Sequence, residues 1–162
     1  MIFVTVGTDR APFDRLLQAV EQLDTTDEIV VQHGASTVRP ANATCVDFLP
    51  FDEWVDHIRR ADTVVTHGGV GSIMVALMNA KKPIVVPRLH RFREAVDDHQ
   101  QEFGRRFGAD GHVIYVEDPA GLAAALDTAE TEVTYMAPPD PLANDLRSYI
   151  DSLIGRNGGS PH

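Results

Sequence analysis

Asp62-Thr63-Val64-Val65-Thr66-His67-Gly68-Gly69-Val70-Gly71-Ser72 is the stretch that decides how the rest of the chain is read. An apolar β-branched run enters three glycines, and a helix-compatible run, Ile73 to Asn79, leaves them. The order is strand, glycine-rich turn, helix. Glycine lets a backbone approach a ligand closely and adopt positive φ. The first amides of the following helix have no intrahelical acceptor and lie at the positive end of its dipole. Such an end suits a phosphate or diphosphate. The same glycines also serve where a strand and a helix must pack tightly, so the neighbouring segments have to choose between the two readings.

Outward from this turn, strand-like and helix-like segments alternate. Ile2-Phe3-Val4-Thr5-Val6 reads as a buried parallel strand opening into Gly7-Thr8-Asp9. Ala11 to Leu23 carries Phe13, Leu16, Leu17, Val20 and Leu23 at helical spacing. Glu28 to Gln32 and Thr44 to Leu49 are further strands, the first stopped by His33-Gly34. Asp52 caps a helix with Trp54, Val55 and Ile58 on its apolar face. After the glycine turn come the strand Lys82–Pro87, a polar loop with Arg88, Arg91 and Arg93, and a helix expected over Glu94–Phe107. His112–Val116 is the last strand and Ala120–Ala129 the next helix.

The pattern predicts an α/β fold, a Rossmann-like doubly wound parallel sheet over residues 1–137. Ligands in such sheets bind at the carboxyl edge of the strands. A proline cluster at Pro138, Pro139 and Pro141 then sets off an amphipathic helix, Leu142–Ile154, expected either to dock a partner or to close the domain's own sheet. Gly155–His162 has the composition of a disordered tail.

Composition narrows the function. At 162 residues and 43% apolar content the chain suits one domain with a real core. No run approaches the roughly 20 apolar residues of a membrane span. The N-terminus lacks a basic region and reads as a strand rather than a signal peptide. The single Cys45 cannot form an internal disulfide and is expected to be a plain buried residue. Together these features predict a cytoplasmic protein. The net charge of −10 argues against a general nucleic-acid binder. Asp outnumbers Glu two to one and Lys81 and Lys82 are the only lysines, a balance suited to a high-salt, halophile-like cytoplasm or to an acidic protein from a GC-rich genome.

Several chemistries are excluded by their missing motifs. The loop after the first strand has one glycine, so no dinucleotide fingerprint is present. No lysine follows a glycine cluster as in a P-loop, no zinc-ligand spacing appears, and no G-x-S-x-G elbow occurs. A site for a diphosphate and a sugar remains. Gly68, Gly69, Gly71 and Ser72 would cradle the phosphates, and arginine forks from Arg88, Arg91 and Arg93 would add charge. His99 and Gln100, about a turn into the next helix, could bond sugar hydroxyls. Gln32 and His33 read mainly as loop-fixing residues, and Phe51 and Trp54 as core or interface.

The motifs IFVTVGT (residues 2–8), VQHG (31–34), FLPF (48–51), DTVVTHGGVGS (62–72), KPIVVP (82–87) and DHQ (98–100) occur in an order similar to that of the family 28 glycosyltransferase C-terminal domain. The chain most resembles the small stand-alone members, the cytosolic subunit of the two-part UDP-GlcNAc transferase of N-glycan assembly and its exopolysaccharide relatives.

The resemblance implies half of a GT-B enzyme that binds the UDP-sugar, inverts the anomeric centre and needs neither metal nor other cofactor. A membrane-anchored partner would bind the lipid-linked glycan acceptor, leaving this chain cytoplasmic and peripheral to the membrane. Gly68, Gly69, Gly71 and Ser72 match the diphosphate turn, Gln100 the sugar-contacting glutamine, and Leu49 the position whose backbone reads uracil. Gly7 and Thr8 match the cleft-facing first loop. His67 and Arg88 are the candidate catalytic residues, and Arg88 could instead meet a sugar carboxylate. Counting back from Pro83 places Ala76 where relatives carry a ribose-binding glutamate. The alternative function is a nucleotide-sugar-binding or regulatory module without catalysis.

Overall fold

The structure, a computed structural model, describes residues 1–131. The expected helix Leu142–Ile154, the tail and the 137/138 boundary lie outside them. Six parallel strands form one sheet: β1 (Ile2–Thr5), β2 (Ile29–Gln32), β3 (Thr44–Val46), β4 (Thr63–His67), β5 (Ile84–Val86) and β6 (Ile114–Tyr115). Their spatial order is β3-β2-β1-β4-β5-β6. This is the doubly wound arrangement that the alternating sequence pattern predicts. The helices are α1 (Asp14–Glu21), α2 (Phe51–Arg60), α3 (Val70–Met78), α4 (His99–Ala109) and α5 (Leu122–Thr131). Among the described residues no helix is long and apolar enough to cross a membrane.

β1 sits at the centre because all four of its residues are buried. It pairs with β2 through Val4 opposite Val31 and Thr5 opposite Gln32, and with β4 through Val4 opposite Val65 and Thr5 opposite Thr66. Strands buried on both faces read as continuous apolar runs rather than alternating ones. One face of the sheet packs on α1 and α5, burying Leu16, Leu17, Val20 and Leu122 with Val4 and Val65. The other face packs on α2, α3 and α4. There Ile58 and Ala76 close over Phe3 and Val64, and Ile73, Leu77, Phe103 and Phe107 close over Val85. Strand order reverses between β1 and β4, and a crevice opens outside their carboxyl ends, where doubly wound sheets bind ligands.

Several boundaries differ from the sequence reading, three of them beside the crevice. Asp52, expected to cap α2, lies inside its first turn; the N-cap is Pro50, with no side-chain cap bond. α3 begins at Val70, so Gly71 lies in the first helical turn rather than in the loop before it, and Ser72 is an early helix residue. The helix expected from Glu94 begins only at His99. Its first residues are drawn off by local bonds: the Glu94 carboxylate accepts from Leu89 N–H at 3.0 Å, and Asp98 Oδ1 accepts from His90 N–H at 3.0 Å. A 3₁₀ turn, His90–Phe92, precedes them, ending on Arg93 in the left-handed region at φ 59°. Such local side-chain bonds compete with helix formation. His99 and Gln100 therefore stand at the helix start, not a turn inside it. Cys45 is half-buried, and burial pushes its thiol pKa up.

Candidate functional site

The crevice is a cavity of about 440 Å³. Its walls come from four strand ends and two helices. β1 contributes Thr5 and the following Gly7 and Thr8, and β2 contributes Gln32. Phe48 and Leu49 lead into α2, which adds Phe51 and Trp54. His67, Gly69, Gly71, Ser72 and Val75 come from β4 and α3. Among the described residues His67 is the only ionisable side chain in this wall.

The glycines divide by what each is needed for. Gly7 has φ +79°, and a Cβ there would lie 2.6 Å from the His67 ring. A Cβ on Gly69 would also run into that ring, at Nε2. His67 is thus wedged between the first loop and the glycine turn, and both glycines make room for it. Gly68 makes room for Gln100, whose Cβ would stand 2.7 Å from a Cβ at position 68. Gly71 differs: nothing lies within 4 Å of a Cβ built there. No internal contact requires glycine at this helical position, where alanine would be more favourable by up to about 1 kcal/mol. Its open side faces the cavity.

α3 has no side-chain cap at Gly69 and no acidic residue in its first turn. Ile73 N–H is the first amide to reach back, to Gly69 O at 3.2 Å. The amides of Val70, Gly71 and Ser72 precede it, and amides at these positions have no intrahelical acceptor. A bare, uncapped helix end at the mouth of a cavity offers partial positive charge and directed donors to an anion.

The opposite end of the cavity is aromatic and apolar. Phe51 and Trp54 rings lie 5.9 Å apart, and Phe48 and Phe51 are exposed. Leu49, between them and the cavity, makes no backbone hydrogen bond within the described residues. Sequence reasoning placed Phe51 and Trp54 in the core or an interface and passed over Phe48, Thr5 and Val75. Helical spacing could have found Val75, since it is four residues from Gly71 and three from Ser72, on the same face. Ala76, by contrast, is fully buried against Phe3, Ile58 and Val64. The residue of α3 that lines the cavity at this level is its neighbour Val75.

His67 is held neutral. Burial, and after it the nearby Arg88 guanidinium, push its imidazole down to about 4. It therefore acts as a hydrogen-bonding ring rather than a cation at neutral pH. Its folded value lies below the ordinary 6.5, so the unfolded chain takes up the proton first. Stability contributed by the neutral ring is present above pH 6.5 and is lost as pH falls toward 4, by roughly 2–3 kcal/mol. A His67→Gln variant is expected to flatten that part of the stability–pH curve in urea titrations. An unchanged slope between pH 4 and 6.5 would contradict the assignment. Gly69→Ala, which drives a methyl into the His67 ring, is expected to destabilise the fold by about 1–3 kcal/mol, read as a lowered urea midpoint.

Arg88 does not present a fork to the cavity. Its side chain is fully buried. Nη2 donates to Val6 O at 2.7 Å, and Nη1 donates to Ala11 O at 2.8 Å and Glu94 O at 3.2 Å. The guanidinium also stacks 4.9 Å from the Phe13 centroid. Burial lowers its pKa. The expectation of a phosphate- or carboxylate-binding Arg88 is corrected to an internal clamp, because three backbone carbonyls already hold its donors. Beside it, Arg15 pairs with the buried Glu94 at 2.9 Å.

His99 also turns away, its Nδ1 lying 2.7 Å from Asp97 Oδ2 in an exposed pair. Gln100 stays beside the turn: it abuts Gly68, and its Oε1 accepts from Arg88 N–H at 3.2 Å. His33 is fixed as a loop residue, Nε2 2.5 Å from Asp47 Oδ1. The structure thus brings Gly7, Thr8, Leu49, His67, Gly69, Gly71 and Ser72 together at one cavity, with Gly68 and Gln100 packed behind it. It leaves the Arg88 and His99 side chains outside.

This geometry can be set beside known proteins. Residues 1–149 match the model of the glycosyltransferase family 28 C-terminal domain. The human UDP-N-acetylglucosamine transferase subunit ALG13 is 29% identical over 127 residues, 70% of this chain and 11% of that protein. The ALG13 subunit of Yarrowia lipolytica is 25% identical over 171 aligned positions, 95% of this chain and 84% of that protein. Among solved structures, the glycotransferase of kitacinnamycin superposes with a TM-score of 0.59 at 18% identity, over 96% of this chain and 43% of its own length. The chain therefore spans a small part of the human relative and under half of that enzyme. On the family match, which covers most of its length, this chain belongs to the glycosyltransferase family 28 C-terminal domain family.

Proposed function

We propose that the chain is the donor-binding subunit of an inverting, UDP-sugar-dependent glycosyltransferase. The observation that carries the reading is the uncapped first turn of α3, with Gly71 open to the cavity and an aromatic wall opposite. The diphosphate lies on the amides of Val70, Gly71 and Ser72, and the base lies toward Leu49, Phe48 and Trp54. An acceptor hydroxyl attacks the anomeric carbon, the bond from that carbon to the diphosphate oxygen breaks, and UDP leaves with the electron pair. The helix end stabilises the charge that develops on the leaving oxygen. Among the described residues the cavity wall holds no charged side chain, so directed amides and the helix dipole supply that stabilisation. His67, neutral, orients Gly7 and Gly69 and offers a ring nitrogen.

The relatives named as subunits favour a two-part enzyme. In this reading the lipid-linked acceptor and the base that takes its proton belong to a membrane-anchored partner. Calorimetry with UDP and a transfer assay with and without the co-expressed partner test it. The chain alone is expected to bind UDP and to transfer sugar only in the pair. Robust transfer by the isolated chain would contradict the divided enzyme. UDP binding with no turnover in the pair would favour the non-catalytic module instead.

A further inference from the structure

Two segments that wall the cavity lie outside every strand and helix: the first loop, at Gly7 and Thr8, and Phe48 and Leu49 after β3. Gln32, buried at the end of β2, bonds the backbone of both. Its Nε2 donates to Gly7 O at 3.2 Å and to Asp47 O at 3.1 Å. Its Oε1 accepts from the hydroxyl of Thr5, its neighbour in the β1–β2 register, at 2.6 Å. The direction of that bond is fixed. Thr5 Oγ1 already accepts from Trp54 Nε1, which can only donate, at 3.1 Å, so its single proton goes to Gln32. Two carbonyls on one side and a hydroxyl donor on the other leave one orientation for the amide. Both of its N–H bonds are used inside the chain. Gln32 thus lines the cavity with no donor left for a ligand.

We propose that Gln32 is a positioning residue: its one amide spaces the first loop from the segment Asp47–Leu49, so that the nucleotide cavity is already formed in the free chain. This rests on the nucleotide-binding reading above and deepens it. Order built in beforehand is order that the ligand does not have to impose on binding. Gly7 and Asp47 each run on into cavity-lining residues, Thr8 on one side and Phe48 and Leu49 on the other. Through Thr5 the same network reaches Trp54 on α2. The two segments do not depend on Gln32 equally. Asp47 O also accepts from Gly34 N–H at 2.9 Å, so the first loop has more to lose.

The test is Gln32→Met, a side chain of similar length that brings no charge into the cavity. Backbone relaxation of the free variant is expected to show Thr8 less ordered than in the wild type, Phe48 less affected, and both restored by saturating UDP. The dissociation constant for UDP, measured by calorimetry where urea titration shows the variant folded, is expected to rise about tenfold. A residue that served stability alone would lower the urea midpoint and leave the affinity of the folded chain unchanged, and that result overturns the proposal. Weaker binding by a variant whose free loops are as ordered as the wild type's also overturns it, since Gln32 would then be a ligand contact. Where the variant does not fold, the wild type decides. Its Gln32 side-chain amide protons are expected to exchange slowly with solvent in the free chain, and exchange as fast as that of an exposed glutamine refutes the role. Failure of the wild-type chain to bind UDP would instead sink the nucleotide-binding reading, while the relaxation and exchange measurements, which need no ligand, still read the role of Gln32.

Discussion

Arg88→Met is expected to lower the stability of the fold by about 3–5 kcal/mol, the cost of three backbone acceptors left unpaired at about 1–3 kcal/mol each, less the relief of desolvation. The reason lies in what is left behind. Methionine fills much of the space, but the carbonyls of Val6, Ala11 and Glu94 lose the donors they now have at 2.7, 2.8 and 3.2 Å. An unpaired buried acceptor costs about 1–3 kcal/mol. The opposing effect is relief of desolvation, because Arg88 is fully buried and its Nε has no partner. That relief would win only if the partners left together with the arginine. They are backbone groups and stay. Arg88→Lys is not expected to rescue, since one ammonium cannot span three carbonyls on separate segments as a planar fork does. The urea midpoint reads the effect, and a loss under about 1 kcal/mol would show that desolvation cancels the network. Val6 and Ala11 flank Gly7 and Thr8, so nucleotide affinity should fall with stability.

Gly71→Asp is expected to do the reverse. Nothing crowds a Cβ at this position, and a carboxylate in the first turn of α3 complements its dipole. Thermal stability should hold or rise, by about 0.3–1 kcal/mol. Affinity for UDP should fall about 100-fold, or ~2.7 kcal/mol, because the new carboxylate takes the amides that would hold the diphosphate and repels it. A folded variant that binds UDP as the wild type does would remove the anion site from α3. The contrast with Gly69→Ala is informative. Two glycines two residues apart differ in surroundings, one pressed by the ring of His67 and the other open to the cavity.

Much of this was legible before any coordinates. The β-branched runs of β1, β2 and β4 and the 3–4 spacing of Phe13, Leu16, Leu17 and Val20 suffice for the parallel sheet and its first helix. The glycine turn was located because strand, glycines and helix follow one another in so few residues. What sequence could not give was direction. Arg88 sits on the expected rim, yet its side chain runs inward, because carbonyls at Val6, Ala11 and Glu94, scattered along the chain, converge behind it. His99 turns to Asp97 through a local bond that helical periodicity ignores. Ala76 and Val75 are neighbours, and only the helix phase decides which lines the cavity. Trp54 does pack against the core, but Phe51 is exposed, because that depends on how α2 leaves Leu49 and Pro50.

The most direct measurement is an amide-resolved NMR titration of the isolated chain with UDP. The amide signals of Val70, Gly71 and Ser72 are expected to shift together and saturably, with those of Gly7 and Leu49 following as the cavity fills. Saturable binding that moves signals elsewhere and leaves those three amides unmoved would contradict the site described for this fold.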